Sequence, residues 1–119
     1  MAAEFELERD FLGPLVFSGE RLAAVSTFAA HKRYWSEFSI YRTDGGNYVT
    51  EVLGQTNDPS KETLRNVKIH SSADNAVRSF IRDGNLSGPA QRLLDEAAEE
   101  DEDIAEVLDS LESSPERLD

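Results

Sequence analysis

The chain contains no cysteine, a single tryptophan and a single methionine, and its apolar runs extend over only a few residues. Without cysteine, a disulfide bond, a thiolate zinc site and a cysteine nucleophile are all excluded. The apolar stretch over residues 22–25 is far shorter than the ~20 residues that cross a bilayer. We therefore expect no association with a membrane.

Signals for export and for cofactor binding are also missing. The opening residues, MAAEFELERD, carry acids where a secretory signal needs basic residues followed by an apolar stretch, so we expect a cytoplasmic protein. The glycines are isolated turn residues and form no phosphate-binding loop. The acidic run over residues 99–103 contains neither the glycine of a calcium loop nor a histidine. We predict no cofactor and no metal ion.

The negative charge is concentrated in the last fifth of the chain. Residues 1–94 contain 12 acidic and 11 basic residues, a net charge of −1. Residues 95–119 contain 12 acidic residues and one basic residue, a net charge of −11. Charge that is confined to one end indicates a local role, whereas adaptation to salt would spread acids over the whole surface.

The clearest structural signal is a β-hairpin in the middle of the chain. Two segments rich in aromatic and β-branched residues, YWSEFSIYRT and NYVTEVLGQT, flank the turn Asp44-Gly45-Gly46. Alternation places Phe38 and Ile40 on one face of the first strand, and Trp35 and Tyr41 on the other. Since both faces carry aromatic residues, one should cover the core, and the other should be covered by a helix or by a partner.

Further strands are predicted on both sides of the hairpin. Residues 15–27 are typical of a strand, with a turn signal at Ser18-Gly19-Glu20 that leaves open whether the strand is broken there. The segment LRNVKIH, residues 64–70, alternates strictly and predicts another strand. Residues 1–13 are predicted to be a flexible lead-in that ends at the Gly13-Pro14 breaker.

After His70, the spacing of the apolar residues changes from the alternation typical of a strand to the spacing typical of a helix. A helix is predicted over residues 73–83, with an N-cap at its start and Gly84 at its end. Ser87-Gly88-Pro89 begins another helix, whose inward face should carry Ala90, Leu93, Leu94 and Ala97. The spacing leaves open whether residues 88–111 form one helix or two. We predict an α+β fold, in which a small antiparallel sheet of three or four strands is followed by two or three C-terminal helices. The α+β domain should span residues 14–98, followed by an acidic C-terminal helix or tail over residues 99–119 that ends in frayed residues.

One part of the sequence resembles a group of short bacterial proteins that are often carried on mobile elements. In that group an F-x-G-x-x-L segment precedes the motif W-[ST]-E-x-x-[LI]-Y-R-T-x-G-G-x-Y-V, which appears here as WSEFSIYRTDGGNYV. The similarity covers residues 17–55, and the acidic C-terminus lies outside it. Because the group has no settled activity, the resemblance implies a phage or plasmid context and no mechanism. The motif residues Tyr41, Arg42, Thr43 and Tyr48 are expected to determine the fold.

Catalysis and direct nucleic-acid binding have little support. His31 as a base and His70 as an acid could form a small nuclease, yet both lie in ordinary polar surroundings. The cluster His31-Lys32-Arg33-Tyr34-Trp35 mixes positive charge with aromatic rings, as single-strand binders do. A strongly acidic chain nevertheless repels phosphate, and phosphate contacts dominate affinity for DNA. We predict that the protein is not an enzyme and does not bind nucleic acid directly.

The acidic C-terminus carries the main functional hypothesis. Its acids line a helical pattern whose opposite side bears the apolar stripe Ile104, Val107, Leu108 and Leu111. An acidic amphipathic helix can meet the arginines and lysines of a phosphate-binding groove. The stripe could equally dock on the domain's own core, and the sequence leaves these alternatives open. The predicted partner-binding residues are Glu96, Glu99, Glu100, Asp101, Glu102, Asp103, Glu106 and Asp109, with Trp35 and Tyr41 as a secondary aromatic surface.

We therefore expect an inhibitor of a basic, nucleic-acid-handling protein or complex, most concretely an anti-CRISPR or anti-restriction protein that acts partly as a nucleic-acid mimic. The alternatives are an antitoxin or immunity protein that neutralises a basic toxin and, third, the two-histidine nuclease. The sequence does not identify the partner, the oligomeric state or the species.

Overall fold

A computed structural model describes residues 3–113 of the chain. Five strands come first and three helices follow, which is the α+β order predicted from the sequence, with more strands than the three or four expected. The elements are β1 (Ala3–Arg9), β2 (Leu12–Ser26), β3 (Tyr34–Thr43), β4 (Tyr48–Thr56), β5 (Leu64–His70), α1 (Ala73–Arg78), α2 (Gly88–Glu100) and α3 (Glu102–Ser113).

The five strands form one antiparallel sheet in which each strand pairs with the next one along the chain. The sheet curls until its first hairpin approaches β5. There the Asp10 carboxylate accepts a hydrogen bond from the Arg65 backbone N–H at 2.8 Å. The Arg65 guanidinium also lies 3.6 Å from both Glu8 and Asp10. These contacts fasten the otherwise open edge of β1 to the far side of the sheet.

The expected flexible lead-in over residues 1–13 is corrected, because Ala3–Arg9 form strand β1 and β2 begins at Leu12. Phe5 and Leu7 alternate with glutamates at positions 4, 6 and 8, so one face of β1 packs inward while the other meets solvent. The turn signal at Ser18-Gly19-Glu20 does not break β2. Gly19 lies where β2 passes very close to β3, because a Cβ atom there would stand 2.1 Å from the Arg42 carbonyl oxygen.

A β-bulge in the middle of β2 lets this long strand contribute side chains to two apolar clusters, one on each side of the sheet. The register shifts between Arg21 and Ala23, so Leu22 is the extra residue. Before the bulge, Leu15 and Phe17 face the inside of the curl. The bulge residue Leu22 and the following Ala23 both pack beneath the helices.

The β3–β4 hairpin forms as predicted, with Thr43 and Gly46 shaping its turn. Gly46 has φ +86°, a conformation that glycine adopts without steric cost. The Thr43 hydroxyl accepts a hydrogen bond from the Asn47 backbone N–H at 3.0 Å. The predicted faces are also observed, since Ile40 packs beneath the helices while Tyr41 packs inside the curl.

Two apolar clusters lie on the two sides of the sheet. The smaller one, inside the curl, is built on Leu7, Tyr41 and Val49. The larger one joins the outer face of the sheet to the three helices through residues such as Ile40 and Leu93, which have no exposed surface. The four residues predicted to point inward from α2 are all buried in this cluster: Ala90, Leu93, Leu94 and Ala97.

The helices differ from the prediction mainly in where they end. Ser72 caps α1 by accepting a hydrogen bond from the Asn75 N–H, but α1 ends at Arg78, earlier than expected, and a tight turn follows with Asp83 and Gly84 at positive φ. Residues 88–111 form two helices, because Asp101 has an extended backbone between α2 and α3. The last part of the predicted acidic tail, residues 114–119, lies outside the described residues. Within residues 3–113, the helices are too short or too polar to cross a membrane.

Candidate functional site

The helices α2 and α3 meet at a corner whose outer surface is acidic. Only Asp101 separates the two helices, so the last turns of α2 and the first turns of α3 converge there. We call the exposed acids around this joint the acidic corner. Its members are Asp95, Glu96, Glu99, Glu100, Glu102, Asp103, Glu106 and Asp109.

Asp101 lies inside the corner and is 2% exposed, so it is not a partner-binding residue as predicted from the sequence. One carboxylate oxygen accepts hydrogen bonds from the Arg42 guanidinium and from the Tyr48 hydroxyl, each at 2.9 Å. The other accepts the Ile104 backbone N–H at 3.0 Å and thereby caps α3. Both oxygens are therefore used to fix the joint to the β3–β4 hairpin.

The pKa values of the two side chains that donate to Asp101 are consistent with these contacts. Burial raises the pKa of Tyr48 strongly, and the hydrogen bond to Asp101 raises it further. Partial burial lowers the pKa of Arg42, but the negative charges of Asp101 and Glu20 outweigh this and leave that pKa raised. Tyr48 therefore stays protonated as a donor and Arg42 stays charged, so both hold Asp101 over the range of physiological pH.

The acids at the end of α2 lie where they oppose helix stability. A helix C-terminus carries partial negative charge, and a nearby acid typically costs about 0.3–1 kcal/mol. Glu99 and Glu100 occupy this last turn, which contains no basic residue. Glu96 lies three and four residues before them, at the spacing where like charges repel. Local stability therefore does not explain why the acids are there.

The acidic corner is also unpaired within the part of the chain that the structure describes. The five salt bridges among residues 3–113 involve acids outside the corner and the buried Asp101. Asp95 accepts a hydrogen bond from the Gln91 side chain at 2.9 Å, which leaves its negative charge in place. The carboxylates are therefore available to a partner with positive charge.

The apolar stripe of α3 docks on the protein's own core, which answers the question that the sequence left open. Ile104 has no exposed surface and Leu108 is 8% exposed. Val107 and Leu111 pack against the same cluster. Because the apolar side of α3 packs against the core, its acids point outward and are part of the folded domain.

The two residues of the predicted aromatic surface differ in how far they are buried. Tyr41 is 3% exposed and packs against the rings of Phe5 and Phe17, with centroids 4.9 and 5.3 Å away, so it is a core residue and not a surface for a partner. Trp35 is half-buried, and its ring meets Phe28 edge-on at 4.9 Å. Trp35 and the acidic corner lie at opposite ends of β3, so the structure does not bring them together.

The two histidines are also far apart. His31 lies in the loop before β3, whose first residue pairs with the last residue of β4. His70 pairs with Tyr48, the first residue of β4. The ends of the nine-residue strand β4 are eight steps apart, which is roughly 26 Å at 3.3 Å per residue, and the two histidines lie at opposite ends. An acid and a base at that distance cannot act on one phosphate.

Sequence reasoning missed the position of Asp95 in the acidic corner and the inward role of Asp101. Asp95 precedes Glu99 by four residues, so the helical spacing contained the signal for its place. Asp101 differs from its neighbours only in its partners, Arg42 and Tyr48, which lie 59 and 53 residues away in the sequence. No local pattern reveals such contacts.

Neither a metal-binding cluster nor a comparison with known proteins indicates another site. Among residues 3–113, no group of three or more His, Asp or Glu side chains is placed to hold a metal ion. A comparison of the chain with protein-family models, with curated proteins and with solved structures finds no match.

Proposed function

We propose that the protein is a non-enzymatic inhibitor that uses the acidic corner to bind the basic, phosphate-binding surface of a nucleic-acid-handling protein. The most concrete form is an anti-CRISPR or anti-restriction protein that occupies the groove where DNA or RNA would lie. Such a partner works in the cytoplasm, so the proposal assigns this protein to the same compartment.

The observation that supports the proposal most is the electrostatic cost of the acids at the end of α2. Glu99 and Glu100 lie at the unfavourable end of α2, with Glu96 one turn before them and without a basic neighbour in that turn. Where a fold breaks a local rule of stability, a functional site is the first explanation. A partner with positive charge would turn this repulsion into attraction and would raise the rate of encounter.

The geometry of the corner suits a groove that binds phosphates. Acids three or four residues apart on a helix have Cβ atoms about 5–6 Å apart, and the corner carries such spacings on both α2 and α3. The two helices therefore each present a row of exposed carboxylates, one on either side of Asp101 in the chain. Arginine and lysine residues that track a nucleic-acid backbone could contact both rows.

The test captures the partner from a bacterial host and measures what the partner can still bind. Deleting residues 95–119 would remove Leu108 and Ile104 from the core, so we use substitutions at exposed positions instead. The corner variant carries Glu99→Gln, Glu100→Gln, Glu102→Gln and Glu106→Gln. The control variant removes the same number of charges from the exposed residues Glu4, Glu6, Asp44 and Glu62.

We expect the unchanged protein and the control variant to retain a basic protein at low salt and to release it at high salt. The corner variant should retain at least tenfold less. The captured protein should bind a labelled DNA or RNA duplex only after its release. Equal capture by both variants would contradict the role of the corner, and a captured toxin that has no nucleic-acid groove would favour the antitoxin alternative.

A further inference from the structure

A cavity of about 410 Å³ lies between the outer face of the sheet and the turn that joins α1 to α2. Strands β3, β4 and β5 supply its floor, including Phe38, Thr50 and Lys68. The other wall comes from the residues after α1 and the first turn of α2, including Phe80 and Arg82. Its volume lies within the range of 300–1,000 Å³ that is typical of small-molecule sites.

The charge of this cavity is opposite to that of the chain. One residue in five of the protein is acidic, 24 of 119, yet none of the lining residues is. The two charged side chains that line it, Lys68 and Arg82, are both basic. Within residues 3–113 neither side chain makes a salt bridge or a side-chain hydrogen bond. The partial positive charge at the start of α2 adds to the same potential.

The remaining lining combines aromatic rings with hydrogen-bonding groups. The rings of Phe38 and Phe80 face each other at a tilt, with centroids 6.4 Å apart. Val52 and Leu86 extend the apolar surface. The Asn66 side chain, also in the lining, has no hydrogen-bond partner among the described residues. Polar groups beside an apolar wall are typical of a site that orients a small ligand.

We propose that this cavity binds a small organic anion in which one anionic group is attached to a flat apolar ring. The anionic group lies between Lys68 and Arg82, at the start of α2, and the ring packs against Phe38 and Phe80. The site is separate from the acidic corner and does not depend on the inhibitor function. A strongly acidic chain repels small anions in general, so a preference for an anionic ligand must come from local positive charge.

The test compares two fluorescent probes of nearly the same shape on the full chain. 1-Anilinonaphthalene-8-sulfonate carries one negative charge, and N-phenyl-1-naphthylamine is its uncharged analogue. The cavity variant carries Lys68→Met and Arg82→Met. The control variant carries Arg92→Met, which removes an exposed positive charge that does not line the cavity. Unfolding curves of all three proteins establish that they are folded.

We expect the unchanged protein to bind the anionic probe with a dissociation constant at least tenfold lower than that of the uncharged probe. The Arg92→Met variant should keep this preference, and the cavity variant should lose it. Amide chemical-shift changes should be largest at Asn66, Ser79 and Asn85. The proposal is overturned if both probes bind the unchanged protein equally, if the preference survives in the cavity variant, or if the shift changes centre on Trp35 and Gln55, which line a different surface cavity.

Discussion

Replacing Asp101 with asparagine removes a negative charge from the joint between α2 and α3 without changing the size of the side chain. The amide oxygen of the new side chain can still accept the Ile104 N–H and cap α3, as the Asp101 carboxylate does at 3.0 Å. The side-chain NH₂ would then point at the Arg42 guanidinium and the Tyr48 hydroxyl. The guanidinium can only donate, so its hydrogen bond is lost, whereas the Tyr48 hydroxyl can rotate to accept from the NH₂ and keeps a bond that no longer involves a charge.

The expected cost follows from how exposed the two donors are. A hydrogen bond to a charged group contributes about 1.5–3 kcal/mol, and the low end applies to Arg42 because its side chain is 40% exposed. Tyr48 is 3% exposed, and its bond to a charged acceptor becomes a neutral bond, which contributes about 1 kcal/mol less. We expect Asp101→Asn to lower the free energy of unfolding by about 2–3 kcal/mol, which corresponds to a fall in Tm of roughly 10 °C.

Urea unfolding followed by the fluorescence of Trp35 measures this difference. Asp103→Asn is the matched control, because Asp103 lies two residues away, is exposed and makes no salt bridge among the described residues. The control should change stability by less than about 1 kcal/mol. A double-mutant cycle with Tyr48→Phe should show coupling between the two positions. The reasoning is refuted if Asp101→Asn costs no more than the control, or if the effects of Asp101→Asn and Tyr48→Phe simply add.

Two other predictions concern the sheet. Gly19→Ala should lower the free energy of unfolding, measured in urea, by about 2–3 kcal/mol, because the new Cβ would meet the β3 backbone. Gly13→Ala should be nearly neutral, because a Cβ there meets nothing within 4 Å. Equal effects of the two substitutions would contradict the close approach of β2 to β3 at Gly19. Burial, and then the charge of Lys68, lowers the pKa of His70 in the folded protein. As the pH falls, the unfolded chain therefore binds the proton more readily than the folded protein does. Stability should fall as the pH drops below about 6.5. His70→Gln should lose less stability than the unchanged protein between pH 7.5 and 5.5, and parallel curves would contradict this assignment.

The sequence was most informative where a structural signal is local. The turn Asp44-Gly45-Gly46 and its aromatic flanks predicted the β3–β4 hairpin, and the spacing of Leu93 and Leu94 predicted the buried face of α2. The motif residues Arg42 and Tyr48 were expected to determine the fold, and their bonds to Asp101 support that expectation.

The sequence was least informative where the answer depends on distant contacts. Strand β1 alternates Phe5 and Leu7 with glutamates, but the Gly13-Pro14 breaker that follows favoured a flexible lead-in. Its apolar face finds a core only because the sheet curls, and the curl depends on contacts such as that between Asp10 and Arg65. For the same reason, five consecutive acids at 99–103 gave no sign that one of them is buried.

The anchoring of α3 bears on how quickly the acidic corner would bind the proposed partner. An acidic segment that folds only on contact gives up about 2–5 kcal/mol of its interaction energy to ordering. Here Asp101 ties the start of α3 to the hairpin, and Ile104 and Leu108 hold the helix against the core. The backbone entropy of the corner is therefore already lost in the free protein, and only its side chains remain to be ordered. Association with a basic groove should be limited by diffusion and electrostatic attraction, without a slow folding step.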